Sequence, residues 1–410
     1  MYDVATRRRG FVGIGSILVL LGAGRGAVGQ NNVLWQFGNP SPDFLGAALA
    51  GVGDTNADGV ADLLVAAPIS ARGGFQQAGW AALLSGASGA VLWSVSGTEV
   101  EEMLGETIGA VGDVDGDGSP DVAIGGSHAP GNLQNVGRIR VHSGASGALL
   151  QEWNGTGFGD SFGVSVAGIG DLDADGFDDI VVGTLGSYGP GPIGRVQIFS
   201  GSSGSVLLTV TGTLSWQGFG SAVAGVGDVS GDGVPDFVVG VPGASPGATP
   251  QAGEARVYSG STGALLSTFA GSGPGDEFGG ALASPGDLDA DAVPDLLVGA
   301  REGGAWFPPY AQVGAGYVRA LSLATGAVLY TATGTGTYGL FGSSLSAIGD
   351  LDADGASEFV AGAPEYLVFP ACCGSTGPGY ARVYSGATGT LLASIQGTAF
   401  GDRFGSGVAG

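Results

Sequence analysis

Short apolar runs separated by glycine, proline and acidic turns recur along this chain at a nearly constant interval, and they predict strands throughout. Residues 62–67, 121–125, 179–183, 236–241, 295–300 and 358–363 are rich in Val, Leu and Ile and bounded by Gly or Pro. Such runs read as strands buried on both faces. Each is preceded by a Phe-Gly or Leu-Gly stretch, as at Phe162-Gly163, Phe219-Gly220 and Phe278-Gly279. Each unit closes on a hairpin of the type Val257-Tyr258-Ser259-Gly260-Ser261-Thr262-Gly263-Ala264-Leu265-Leu266, whose glycines supply the positive φ that tight turns need. No segment carries a helical period. Every unit therefore holds four short strands: A from Phe-Gly to the acidic turn, B the apolar run, then C and D.

The interval is set by an acidic nonapeptide that begins at Asp54, Asp113, Asp171, Asp228, Asp287 and Asp350, in steps of 59, 58, 57, 59 and 63 residues. Internal repeats of four-stranded antiparallel units arranged radially are propeller blades. The expected fold is all-β, a β-propeller with six complete blades and a partial seventh in a seven-bladed arrangement. Val33-Leu34-Trp35-Gln36-Phe37 matches the D strand at Val91-Leu92-Trp93-Ser94-Val95, and Phe404-Gly405-Ser406-Gly407-Val408-Ala409-Gly410 matches the A strand at Phe341. These complementary overhangs are expected to pair in the last blade, with the native chain continuing past Gly410 into another acidic loop.

Each nonapeptide places hard oxygen donors at positions 1, 3, 5 and 9, a turn glycine at 6 and a backbone carbonyl at 7. That alternation around a tight loop suits Ca²⁺. The candidate ligands are Asp54, Asn56, Asp58, the carbonyl of Val60 and Asp62 in the first loop, and Asp113, Asp115, Asp117, the carbonyl of Ser119 and Asp121 in the second. The third has Asp171, Asp173, Asp175, the carbonyl of Phe177 and Asp179; the fourth has Asp228, Ser230, Asp232, the carbonyl of Val234 and Asp236. The fifth has Asp287, Asp289, Asp291, the carbonyl of Val293 and Asp295, and the sixth Asp350, Asp352, Asp354, the carbonyl of Ala356 and Glu358. An Asp-Gly cluster that only forms a turn does not need carboxylates at fixed alternation. Loops two and three fit best, while loop five has Ala292 where the turn needs positive φ, which puts its geometry in doubt.

Charge supports a cation and excludes several partners. Of the 410 residues, 37 are acidic and 13 basic, every basic one is Arg, and more than half of the acidic ones lie in the six loops. Clustered carboxylates repel one another without a cation. So negative a surface disfavours nucleic acid and anionic lipid. With no Lys and only His128 and His142, Lys-based catalysis is ruled out and most ordinary catalytic sets lack their parts; a non-enzymatic role is expected.

Residues 1–29 read as a signal peptide: Arg7, Arg8 and Arg9 precede an apolar run from Phe11 to Gly24, and Ala27-Val28-Gly29 offers a small-residue cleavage site. Arg8-Arg9-Gly10-Phe11 is also similar to a twin-arginine signal, so both export routes stay open. Residues 30–410 then form the propeller of a protein that is secreted or held in the cell envelope or periplasm, with no membrane span in the mature chain.

The units resemble the FG-GAP repeat family, the blades of the integrin α-subunit N-terminal propeller, on Phe341-Gly342 and Gly362-Ala363-Pro364 and on degraded forms such as Ala66-Ala67-Pro68 and Gly125-Gly126-Ser127. The resemblance implies a module used outside cells for adhesion or ligand binding, with an extracellular protein or carbohydrate as partner. In an up-and-down blade the A-to-B and C-to-D turns share one face. Calcium is thus expected opposite the variable loops that carry Tyr188, Trp216, Trp306, Phe307, Tyr310, Tyr338, Tyr366 and Phe369. Adjacent Cys372 and Cys373 would make a strained disulfide. Such a pair with a propeller and calcium is also similar to quinoprotein alcohol dehydrogenases, whose single catalytic calcium contrasts with a loop in every blade here. A purely structural cell-surface repeat is the other alternative.

Overall fold

The computed structural model describes residues 17–18, 36–37, 44–126, 136–157, 159–186, 193–302, 314–336, 339–364, 377–397 and 403–410. Six four-stranded antiparallel sheets ring a common axis, within residues 48–96, 107–154, 162–211, 223–270, 278–333 and 344–396, and no helix occurs among the described residues. In every sheet the strands follow chain order from the axis outward, the up-and-down blade that the repeat predicts. In blade three these are Phe162–Gly170, Asp179–Thr184, Arg195–Phe199 and Val206–Thr211.

Burial follows from the stacking of blades. The second strand is buried along its whole length in all six blades, as in Asp179–Thr184 and Asp295–Ala300, because each face is covered by a neighbouring blade or, between blades six and one, by the C-terminal segment. The outermost strand mixes exposed and half-buried residues, as in Val206–Thr211. Five core clusters straddle two consecutive blades. One joins Val238, Ala255 and Val257 of blade four to Phe278, Leu296 and Val298 of blade five. The core is thus a ring of interfaces.

The Phe-Gly pair forms the joint between blades. Phe278 is fully buried, its N–H donates to the Ala252 carbonyl at 3.0 Å, and it forms a parallel bridge with Gly253 of blade four. Gly279 takes φ 89°, which turns its carbonyl against Gly240, where an added Cβ would sit 2.1 Å from that oxygen. The same bridge recurs at Gly79 with Leu104, Gly316 with Phe341 and Gly379 with Phe404.

That last bridge docks the C-terminal segment on blade six as if it began another repeat. Phe404 and Val408 pack with Val360 and Val383 of blade six, whereas Ala409 packs with Leu63 and Val65 of blade one. Ser406, Gly407 and Val408 line the axial cavity, about 280 Å³, together with residues of the six innermost strands. A single inner segment therefore fills the gap between blades six and one. The expected pairing of the N-terminal strand with this segment is not found: Gln36–Phe37 pairs antiparallel with Ile17–Leu18.

The acidic loops join first to second strands and share one backbone form. Position 6 has positive φ in all six, from Gly233 at 85° to Gly355 at 98° among the glycines, and Ala292 adopts it at 70°. Position 4 does as well, at Ala57, Gly116, Ala174, Gly231, Ala290 and Ala353. The doubt about loop five is thereby answered: the surrounding blade holds Ala292 in the conformation a glycine would take.

Two stability outcomes follow. Phe278→Ala is expected to lower unfolding free energy by about 3–5 kcal/mol, while truncating exposed Val328 leaves it nearly unchanged, both read by denaturant titration. Ala292→Gly relieves left-handed strain of about 1–2 kcal/mol against an entropic loss of about 0.4–1, so its melting temperature should rise while that of Gly118→Ala falls.

Candidate metal centre

The loops meet the third-to-fourth-strand turns on one face. Ser261 of that turn donates to Asp232 at 2.6 Å, Ser85 donates to Asp58 at 3.2 Å, and Ser202 donates to Asp175. The opposite face is marked by Gly243, which follows a second strand and donates its N–H to Gln217 in the linker between blades three and four, at 2.8 Å.

Within a loop each side chain has a place. The first carboxylate accepts backbone N–H groups across the turn, as Asp113 does from Gly116 at 2.7 Å and Gly118 at 2.9 Å. The third and fifth each accept from two residues on: Asp115 from Asp117 at 3.0 Å, and Asp117 from Ser119 at 2.8 Å. These bonds leave further lone pairs on exposed carboxylates, which accept several partners each.

The ninth residue is buried in every loop, and in blades one to four it bridges three parts of its blade. Asp121 accepts from Val114 N–H and from Gly144 N–H, both at 2.9 Å, and so ties loop, second strand and outer turn together. Asp62, Asp179 and Asp236 repeat this with Gly86, Gly201 and Gly260. Sequence reasoning assigned this position to ligation alone and missed the bracket; the signal was the Ser-Gly after each third strand. In blade five Leu323 replaces that glycine, and Oδ1 of buried Asp295 has no hydrogen-bond donor. Oε1 of Glu358 also lacks one.

Carboxylates converge in four loops. Ligand oxygens of Asp350, Asp352, Asp354 and Glu358 lie within 4.8 Å of one another, as do those of Asp113, Asp115 and Asp121, of Asp171, Asp173 and Asp179, and of Asp287, Asp289 and Asp291. Loops one and four, with Asn56 and Ser230 at position 3, form no such group among the described residues. Burial, together with repulsion from the neighbouring loop carboxylates, pushes the carboxyls of Asp121, Asp179 and Asp295 up to about 6, and it raises that of Glu358. Near neutral pH these groups are thus ionised at a cost that a cation would offset. Hard oxygen donors, buried carboxylate oxygens without donors and mutual repulsion all fit a divalent cation.

Of the aromatic loop residues, Trp216 is described: it is 50% exposed beside Leu214, with φ 75°. Tyr188, Trp306, Phe307, Tyr310, Tyr338, Tyr366 and Phe369 lie outside the described residues, as do Cys372 and Cys373, on which the quinoprotein comparison rests. No helix among the described residues is long and apolar enough to cross a membrane.

The chain matches the FG-GAP repeat family over residues 107–142, 162–199 and 219–258, which are blades two, three and four up to their third strands. It is 29% identical to chicken integrin alpha-V over 213 residues, 48% of this chain and 20% of that protein, and 30% identical to mouse integrin alpha-8 over 217 residues, 49% and 20%. Identity to human integrin alpha-IIb is 34% over 174 residues, 38% of this chain and 16% of that protein. The chain thus matches about a fifth of the length of these curated relatives or less. Repeat, joint and loop agree with these likenesses: the chain is a β-propeller that carries FG-GAP repeats in blades two, three and four, and it is similar over up to half of its length to integrin α-subunits.

Proposed function

We propose that the chain is an exported calcium-binding propeller that acts as an extracellular binding or adhesion module for a protein or carbohydrate ligand. The observation that carries this is the convergence of carboxylates in loops two, three, five and six on one face, with an oxygen of buried Asp295 lacking any donor. Positions 1, 3, 5 and 9 and the carbonyl at position 7 hold Ca²⁺, which neutralises the loops and stiffens the face. The other face carries the second-to-third-strand and blade-to-blade loops, placed by a rigid scaffold for recognition. Exposed Trp216 and Leu214 on a blade-to-blade linker there suit a sugar ring or an apolar side chain. Export rests on the Arg7–Arg9 cluster, the following apolar run and Ala27-Val28-Gly29.

Chelation is expected to lower the melting temperature and calcium to restore it. At free Ca²⁺ ten times Kd each occupied loop contributes about 1.4 kcal/mol, with Kd about 0.1–1 mM as in extracellular modules. An unchanged melt with and without chelator sinks the metal assignment. A glycan and extracellular-protein array in calcium tests recognition: binding that Trp216→Ala weakens is expected, and no binding to any class argues for a structural surface role.

A further inference from the structure

Neighbouring acidic loops touch, and one contact differs in kind from the others. Just before each loop stands a glycine with positive φ, and in loops one to four position 8 of the next loop packs on it. A Cβ on Gly53 would lie 3.0 Å from Pro120, one on Gly170 3.4 Å from Pro235, and one on Gly227 3.5 Å from Pro294. Proline has no N–H, so these joints are apolar. Between loops two and three position 8 is Asp178. Its carboxylate accepts the Asp113 N–H at 2.9 Å, and its own N–H donates to the Asp113 carbonyl at 3.0 Å. A residue of loop three thus holds both backbone polar groups of the first candidate ligand of loop two, 65 positions away.

Two further contacts lock the same pair. The Phe177 ring lies against Gly116, where an added Cβ would be 2.7 Å from it. In return Val114 of loop two, 2% exposed, packs with Ile180, Val182 and Phe199 of blade three.

We propose that Asp178 is a positioning residue for loop two, and that loops two and three take up calcium as a linked pair; this rests on the calcium reading above. Asp178 lies between the position 7 carbonyl of Phe177 and the ninth carboxylate, Asp179. Ordering loop three around an ion fixes Asp178, which fixes Asp113. Linkage makes the effect reciprocal: filling loop two favours filling loop three. The proline joints, without paired hydrogen bonds, transmit less.

Hydrogen exchange read by mass spectrometry on the full chain during a Ca²⁺ titration resolves individual loops. In the wild type, peptides covering residues 113–121 and 171–179 should gain protection at one common Ca²⁺ concentration. Asp178→Pro reproduces the joint that blades two, four and five already use and so retains the packing while removing both hydrogen bonds. It should raise the Ca²⁺ midpoint of 113–121 about tenfold, the scale of losing such bonds, and leave that of 228–236 in place. Asp173→Asn in loop three should also raise the midpoint of 113–121. Asp178→Asn, which retains an acceptor oxygen, should restore a midpoint near that of the wild type. In chelator, Asp178→Pro should already speed exchange at 113–118, an outcome independent of metal. Protection of 113–121 at an unmoved midpoint in Asp178→Pro would overturn the coupling and leave the calcium reading intact. Wild-type loops that gain no protection from Ca²⁺ would overturn both.

Discussion

The close approach of one blade's Phe-Gly to the glycine backbone of the blade before it sets the ring. Gly279 turns its carbonyl onto Gly240, Gly342 onto Gly299 and Gly405 onto Gly362, each 2.1 Å from where a Cβ would stand, so neither side tolerates one. The aromatic ring beside each glycine fills the interface that the approach creates, as Phe278 and Phe341 do at full burial. The same parallel bridge recurs at four joints, and with that repeated arrangement the acidic loops come to one face without any being placed individually.

That shared placement turns a turn motif into a chemical surface. A single Asx-rich turn could satisfy itself through its own backbone, and much of each loop does so. The ninth carboxylate changes the balance, since it is buried, raised toward protonation by that burial, and surrounded by other carboxylates. Blade five shows the tension most plainly: with Leu323 in place of glycine, an oxygen of Asp295 has no donor. A cation relieves the repulsion in each loop, and at the joint of loops two and three the hydrogen bonds of Asp178 extend its influence to a neighbour.

The fold was legible in the sequence where a local rule acts on every copy. Val, Leu and Ile runs marked the doubly covered second strands, and Phe-Gly or Leu-Gly marked the start of each first strand, because these positions obey the same burial in each blade. Ala292 looked unsuited to its turn from its side chain alone; the blade imposes φ 70° on it all the same. Positive φ at position 4 escaped notice because four copies carry Ala there and only Gly116 and Gly231 hint at it. The bracket from Asp121 to Gly144 and the bond from Asp178 to Asp113 join residues 23 and 65 apart, and no periodicity encodes which distant N–H a carboxylate meets. The pairing of Gln36–Phe37 with Ile17–Leu18 was hidden for a like reason, since pattern identifies a strand without naming its partner.

A crystal structure in calcium with anomalous difference maps tests the central claim most directly. The account predicts anomalous density inside loops two, three, five and six, with Asp113, Asp115 and Asp121 and their counterparts at about 2.3–2.6 Å, the range for calcium–oxygen bonds. Loops that retain the same turn but hold only water at saturating calcium would contradict it.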